Sequence, residues 1–85
     1  MAVPTEMQLR DALSVAGKAH HEFETNFLKG VRDEQWPGWY AAFVLGRLGE
    51  FTTPTKLATW LAEAPLKGDW SRNAAAHVTA MLAKK

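Results

Sequence analysis

Cysteine is absent from this 85-residue chain. Disulfides, thiolate metal sites and cysteine nucleophiles are therefore excluded, and a cytoplasmic setting fits. No apolar run reaches the roughly 18 residues that cross a bilayer, so no membrane span is expected. The opening MAVPTEMQLRDAL has no basic start followed by an apolar block, so no secretory leader is expected either. Charge of one sign is also lacking. The net charge is +1, far from the strongly basic footprint of a nucleic-acid-binding domain. The halves differ mildly: residues 1–50 carry five basic and seven acidic side chains, residues 51–85 five basic and two acidic. A solvated surface accounts for that asymmetry. Nothing matches a G-x-S-x-G elbow, a phosphate-binding glycine loop or an H-E-x-x-H helix, so the common hydrolase, nucleotide and metalloprotease signatures are missing. No segment alternates apolar and polar residues as a half-buried strand does.

What remains is a globular composition. Apolar residues make up 47% and charged residues 22% of the chain, ordinary values for a folded domain. The length implies one domain, burying roughly 60–65% of its unfolded surface.

Four prolines and six glycines cut the chain into four helical pieces. In the first, Thr5 and Gln8 have the spacing of a capping box. Leu9, Leu13, Ala16, Phe23 and Phe27 then follow at helical steps, with His20 filling a position on the same stripe. Gly30 is placed to stop this helix in a left-handed conformation, so the expected span is about residues 6–29. In the second piece Pro37 suits a first helical turn, and GWYAAFVLGRLG is apolar nearly all round. That predicts the most buried helix, with Gly46 admitting a close neighbour and Gly49 as the stop. The third piece has Thr53 as cap, Pro54 at the first position, and Leu57, Trp60, Leu61 and Ala64 on one face before Pro65. The fourth has Asp69 as cap, with Trp70, Ala74, His77, Val78, Met81 and Leu82 on one face. Lys84 and Lys85 suit the negative end of its dipole. The prediction is an all-α, single-domain four-helix bundle, with a long first helix as the spine on which the others pack.

The chemistry concentrates in residues 19–41. His20 lies on the buried stripe, and His21, about 100° further round, is solvated. Glu24 sits one turn beyond His20. A histidine and a glutamate at i, i+4 serve as a paired buried imidazole, an oriented base or two metal ligands. The plain reading is a neutral imidazole hydrogen-bonded to Glu24, to the Tyr40 hydroxyl or to a backbone carbonyl. A zinc site needs a third ligand, and His77 is the candidate. Trp36, Trp39 and Tyr40 are either core or the walls of a small-molecule pocket whose polar end is His20 and Glu24. Arg32, Asp33 and Glu34 read as a solvated loop. The last two helices, joined by PLKG, outline a helix-turn-helix, with Arg72 and Asn73 near the front and Lys56 and Lys67 near phosphates. Asp69 at the same helix start opposes phosphate.

AHHEFE followed by WPGWYA resembles small bacterial all-α proteins of uncharacterised activity that share A-H-x-x-Y/F-E and W-P-x-W-Y-A. Some of them stand beside glyoxalase-like domains. The matching positions are Ala19, His20, Phe23 and Glu24, then Trp36, Pro37, Trp39, Tyr40 and Ala41. Phe23 stands where tyrosine is usual, which removes one hydroxyl from any shared site. The resemblance covers roughly residues 19–48. It implies a helical fold and names no activity.

The expected function is a non-enzymatic binding or accessory module. Its pocket, between the first two helices, is built from His20, Glu24, Trp36, Trp39 and Tyr40. No catalytic residue, metal or cofactor is assigned. The second reading is a protein–protein adaptor or homodimer using an apolar helical face. A helix-turn-helix nucleic-acid binder and a metal-dependent enzyme on His20, Glu24 and His77 rank lower. The partner is a small molecule or a protein; nucleic acid is disfavoured and no membrane is expected.

Overall fold

Helix α1 (Glu6–Asn26) begins at a complete capping box. The Gln8 amide donates to Thr5 Oγ1 at 3.1 Å, and the Thr5 amide donates to Gln8 Oε1 at 2.8 Å. Two amides that the helix leaves unpaired are thereby satisfied. The computed structural model describes residues 3–31 and 34–84. Arg32, Asp33 and Lys85, to which the sequence assigned a solvated loop and a dipole partner, lie outside the described residues.

Helix α1 stops three residues earlier than its sequence pattern predicts, with Phe27 as its C-cap. Lys29 and Gly30 both adopt positive φ, 54° and 85°. The Gly30 amide donates back to the Glu24 carbonyl at 2.8 Å. That bond spans one residue more than the 6→1 bond of a Schellman turn, and the left-handed conformation begins at Lys29, ahead of the glycine. Phe27 consequently leaves the stripe and is 74% exposed.

Helix α2 (Trp36–Leu48) starts with Pro37 in its first turn and closes with the Gly49 amide on the Leu45 carbonyl at 2.8 Å. Helix α3 (Pro54–Glu63) is capped by Thr53, whose hydroxyl accepts from the Lys56 amide at 3.2 Å. Helix α4 (Trp70–Ala83) is capped by Asp69, whose carboxylate accepts from the Arg72 amide at 3.3 Å. These caps stand where the sequence put them. The turn before α4 is clamped by one side chain: Asn73 Nδ2 donates to the Pro65 carbonyl at 3.0 Å and to the Lys67 carbonyl at 2.7 Å.

The four helices form an all-α bundle with no strand among the described residues. Their packing is a ring and not a spine with attachments. Helix α1 packs on α2 and α4, and α3 packs on the same two. Among the described residues, the diagonal pairs α1–α3 and α2–α4 make no close backbone contact. Helix α1, at 21 residues, is still the longest element, about 31 Å at 1.5 Å per residue.

Leu9 and Leu13 of α1, Val44 of α2, Leu57 and Leu61 of α3 and Val78 of α4 are fully buried. Each stabilises the fold by about 1.5–3 kcal/mol. Between them lie Ala12, Ala41, Ala74 and Ala75, buried small residues that let the ring of helices close. Helix α2 is, with α4, the least exposed element. Only Ala41, Val44 and Leu45 are inside, and its large rings are half-buried. Gly46 admits no neighbour: a Cβ built there meets nothing within 4 Å. The position lies on the outer face of α2, opposite the residues that reach the core.

Candidate functional site

One end of the bundle holds an open cavity of about 370 Å³. Helix α1 supplies His20 and Glu24 from its last turns, one turn apart on one face. Helix α2 supplies Trp36 and Tyr40, with the same spacing, from its first turns. Gly30 borders it from the turn after α1, and Leu66 and Trp70 close it from the turn into α4. The location follows from the topology. The α2 and α4 backbones do not approach each other, and Trp36, Tyr40 and Trp70 reach across that diagonal.

The three rings meet almost at right angles. Trp36 and Tyr40 stand at 87°, Trp36 and Trp70 at 84°, and Tyr40 and Trp70 at 83°, with centroids 5.2–5.8 Å apart. Edge-to-face pairs at these separations are favourable beyond the area they bury. The Trp70 Nε1–H is buried and has no hydrogen-bond partner among the described residues. A buried unsatisfied donor costs about 1–3 kcal/mol.

His20 is the polar residue buried at this end, 6% exposed. Its ring lies 4.9 Å from Trp39 and 5.0 Å from Tyr40, centroid to centroid. His20 Nδ1 stands 3.9 Å from Glu24 Oε1. That is an ion-pair separation and too long for a hydrogen bond. Of the three partners the sequence offered His20, the Glu24 carboxylate is close but beyond hydrogen-bond reach, and both residues have further partners. Tyr40 is pushed above its ordinary phenol pKa of 10.0, first by burial and second by the Glu24 charge. His21 is exposed, as its place on the helix predicts.

Four of the five sequence-derived site residues border the cavity: His20, Glu24, Trp36 and Tyr40. Trp39 does not. It backs His20 from behind and packs on Phe23 at 5.8 Å and on Phe43 at 5.5 Å. Residues 36 and 40 lie about 40° apart on a helix and residue 39 about 100° from residue 40, so the three rings cannot share one wall. His77 turns elsewhere, its Nε2 3.0 Å from Glu63 Oε1. No group of three metal-ligating side chains stands together among the described residues. Asn73 is turned inward onto the loop carbonyls, and Asp69 holds Arg10 at 3.4 Å, so α4 begins against α1.

Two walls escaped the sequence reading. Trp70 was assigned to the core stripe of α4, yet as the first residue of its helix it leaves part of its ring at the bundle end. Leu66 sat unremarked in the turn. A leucine in the PLKG turn, where no helical stripe claims it, was the available signal.

No protein-family model matches this chain, and neither a curated protein nor a solved structure matches it. The functional reading therefore rests on the cavity itself. Among the described residues no helix is long and apolar enough to cross a membrane.

Proposed function

We propose that this domain is a non-enzymatic binding module that takes a small molecule into the aromatic–histidine cavity at the junction of α1, α2 and α4. One observation carries the reading. A cavity of about 370 Å³ is walled by Trp36, Tyr40 and Trp70 and ends on His20 and Glu24. Small-molecule sites commonly occupy about 300–1,000 Å³, with aromatic walls and a few convergent polar groups. Trp36 is half-buried against the core, and so is Trp60 on α3; neither is presented as a solvated interaction face.

The test is a fragment screen by ligand-observed NMR, run on the wild type and on Leu66→Trp. Leu66 is mostly exposed at the mouth of the cavity, so the larger side chain obstructs entry and leaves the helices untouched. Ligands that bind the wild type and lose binding in Leu66→Trp are the expected outcome. A screen without hits, or hits that bind both proteins equally, would overturn the proposal.

A second reading, a homodimer or adaptor surface, is favoured by a different observation. Phe27, Phe23, Trp39 and Phe43 form a continuous row of rings with centroids 5.5–5.8 Å apart. Phe27 is exposed and the other three are half-buried. Sedimentation of the wild type against Phe27→Ser tests it. A dimer that dissociates in the variant is the expected result under that reading.

A further inference from the structure

We infer that the guest of this cavity is a free organic cation, a small alkylammonium compound, held by the corner of Trp36, Tyr40 and Trp70 with Glu24 as counter-charge. The inference rests on the binding reading above and adds the chemistry of the ligand.

The rings carry the first half of the argument. Their pairwise angles of 83–87° make three nearly perpendicular planes. All three rings border the cavity, so a guest seated at this corner packs against aromatic side chains of two helices. An aromatic face is electron-rich and an aromatic edge is electron-poor. Faces attract cations, and tryptophan attracts them most strongly. No two of the three wall rings stand parallel, so a flat neutral guest cannot be sandwiched between them.

Glu24 carries the second half. Its carboxylate borders the same cavity, and its side chain is 24% exposed. Glu24 has partners already. A carboxylate offers about four acceptor positions for a guest and its other partners to share. The field of this group is felt at the wall, since it contributes to the raised phenol of Tyr40. A field that disfavours a phenolate favours a cation at the same place. Among the described residues no lysine or arginine lines the cavity to hold an anion. Leu66 adds an apolar surface for the alkyl substituents.

The test compares choline with its carbon isostere dimethylbutanol, which has the same shape and no charge. Titration is followed by tryptophan fluorescence and by calorimetry on the full chain. Choline is expected to bind at least tenfold more tightly than dimethylbutanol. Glu24→Gln, which preserves shape, should weaken choline about tenfold and leave dimethylbutanol unchanged. Trp36→Phe, which retains a ring with a weaker face, should weaken choline several-fold. Circular dichroism melts check that both variants fold. Equal binding of the two probes, or choline binding indifferent to Glu24→Gln in a folded variant, would overturn the inference. Retention of the protein on phosphatidylcholine vesicles would overturn the free ligand in favour of a lipid headgroup. If choline fails while uncharged or anionic fragments bind and are blocked by Leu66→Trp, the cation is wrong and the binding site stands. If nothing of any charge binds, both fall.

Discussion

Replacing His20 by alanine should destabilise the domain far more than the same change at His21, its neighbour in the chain. His20 is 6% exposed, with Trp39 and Tyr40 packed against its ring at 4.9 and 5.0 Å and Phe23 stacked at 6.1 Å. Truncation removes those contacts and opens a void that rigid aromatic neighbours on two helices cannot fill by collapse. It also removes the imidazole beside the Glu24 carboxylate. Loss of one buried hydrogen-bonded group costs about 1–3 kcal/mol, and core truncations of aliphatic residues cost about 2–5 kcal/mol. The imidazole is smaller and more polar than the latter series, so roughly 1–3 kcal/mol is the expected loss. For a domain of this length that corresponds to a fall in Tm of about 4–8 °C for each kcal/mol. His21 is solvated, and alanine there should cost within about 0.5 kcal/mol.

Thermal and urea denaturation of the two variants, followed by circular dichroism, measure the difference. His20→Phe separates the two contributions. If packing dominates, phenylalanine recovers most of the loss; if polar partners dominate, it recovers little. Equal, small losses at His20 and His21 would refute the burial argument. A neutral or stabilising His20→Ala would mean that the imidazole is retained at this position for its chemistry, at no benefit to the fold.

Gly46→Ala should stabilise by about 0.5–1 kcal/mol, because the position is an exposed helix interior where a Cβ meets nothing within 4 Å; a lower urea midpoint would contradict this. Asn73→Ala should cost about 1–2 kcal/mol, since it removes both side-chain bonds to the Pro65 and Lys67 carbonyls. The same change should loosen the Leu66 wall, read as faster amide exchange in the turn. An ultraviolet titration should place the Tyr40 phenol above 10.0, and Glu24→Gln should lower it only in part, because burial is the larger cause. A folded pKa raised above the unfolded one stabilises below the unfolded value and loses that contribution as pH climbs through the folded value. Stability should therefore decline at pH above about 10 by way of Tyr40, and Tyr40→Phe should flatten that limb of the profile.

The parts of the fold written within one helical turn were legible. Thr5 with Gln8, Thr53 with Pro54, and Asp69 each declare a helix start through a side chain that satisfies an amide two or three residues on. Stops were harder. Lys29 takes the left-handed conformation ahead of Gly30, and no propensity argument picks a lysine for that role. Burial of the large residues could be read from the stripe, but Ala12, Ala41 and Ala75 could not. A buried alanine reports how closely another helix approaches, and that is a property of two segments far apart in sequence. The ring-shaped packing was hidden for the same reason. So was Glu63, the partner of His77, fourteen residues away on another helix.

The candidate site shows where this local code ends. His20 with Glu24, and Trp36 with Tyr40, are i, i+4 pairs, and such spacing can be read directly. The signature-like residues around them divide by function within the fold. His20, Glu24, Trp36 and Tyr40 face the cavity, Phe23 and Trp39 support His20 from behind, and Ala41 is wholly core. Trp70 and Leu66 lie outside the resemblance and complete the wall from across the bundle. The cavity exists because α2 and α4 remain apart, and three bulky rings bridge the gap without filling it. A smaller residue at position 70 would remove the bridging ring that α4 now contributes across that gap. The present arrangement leaves Trp70 Nε1 without a hydrogen-bond partner among the described residues and an imidazole in place of an apolar residue on the α1 stripe. Both depart from the pairing and patterning usual in a small core. In a small domain with little stability to spare, such departures are expected to cluster at a functional site. Here both fall on the walls of one cavity.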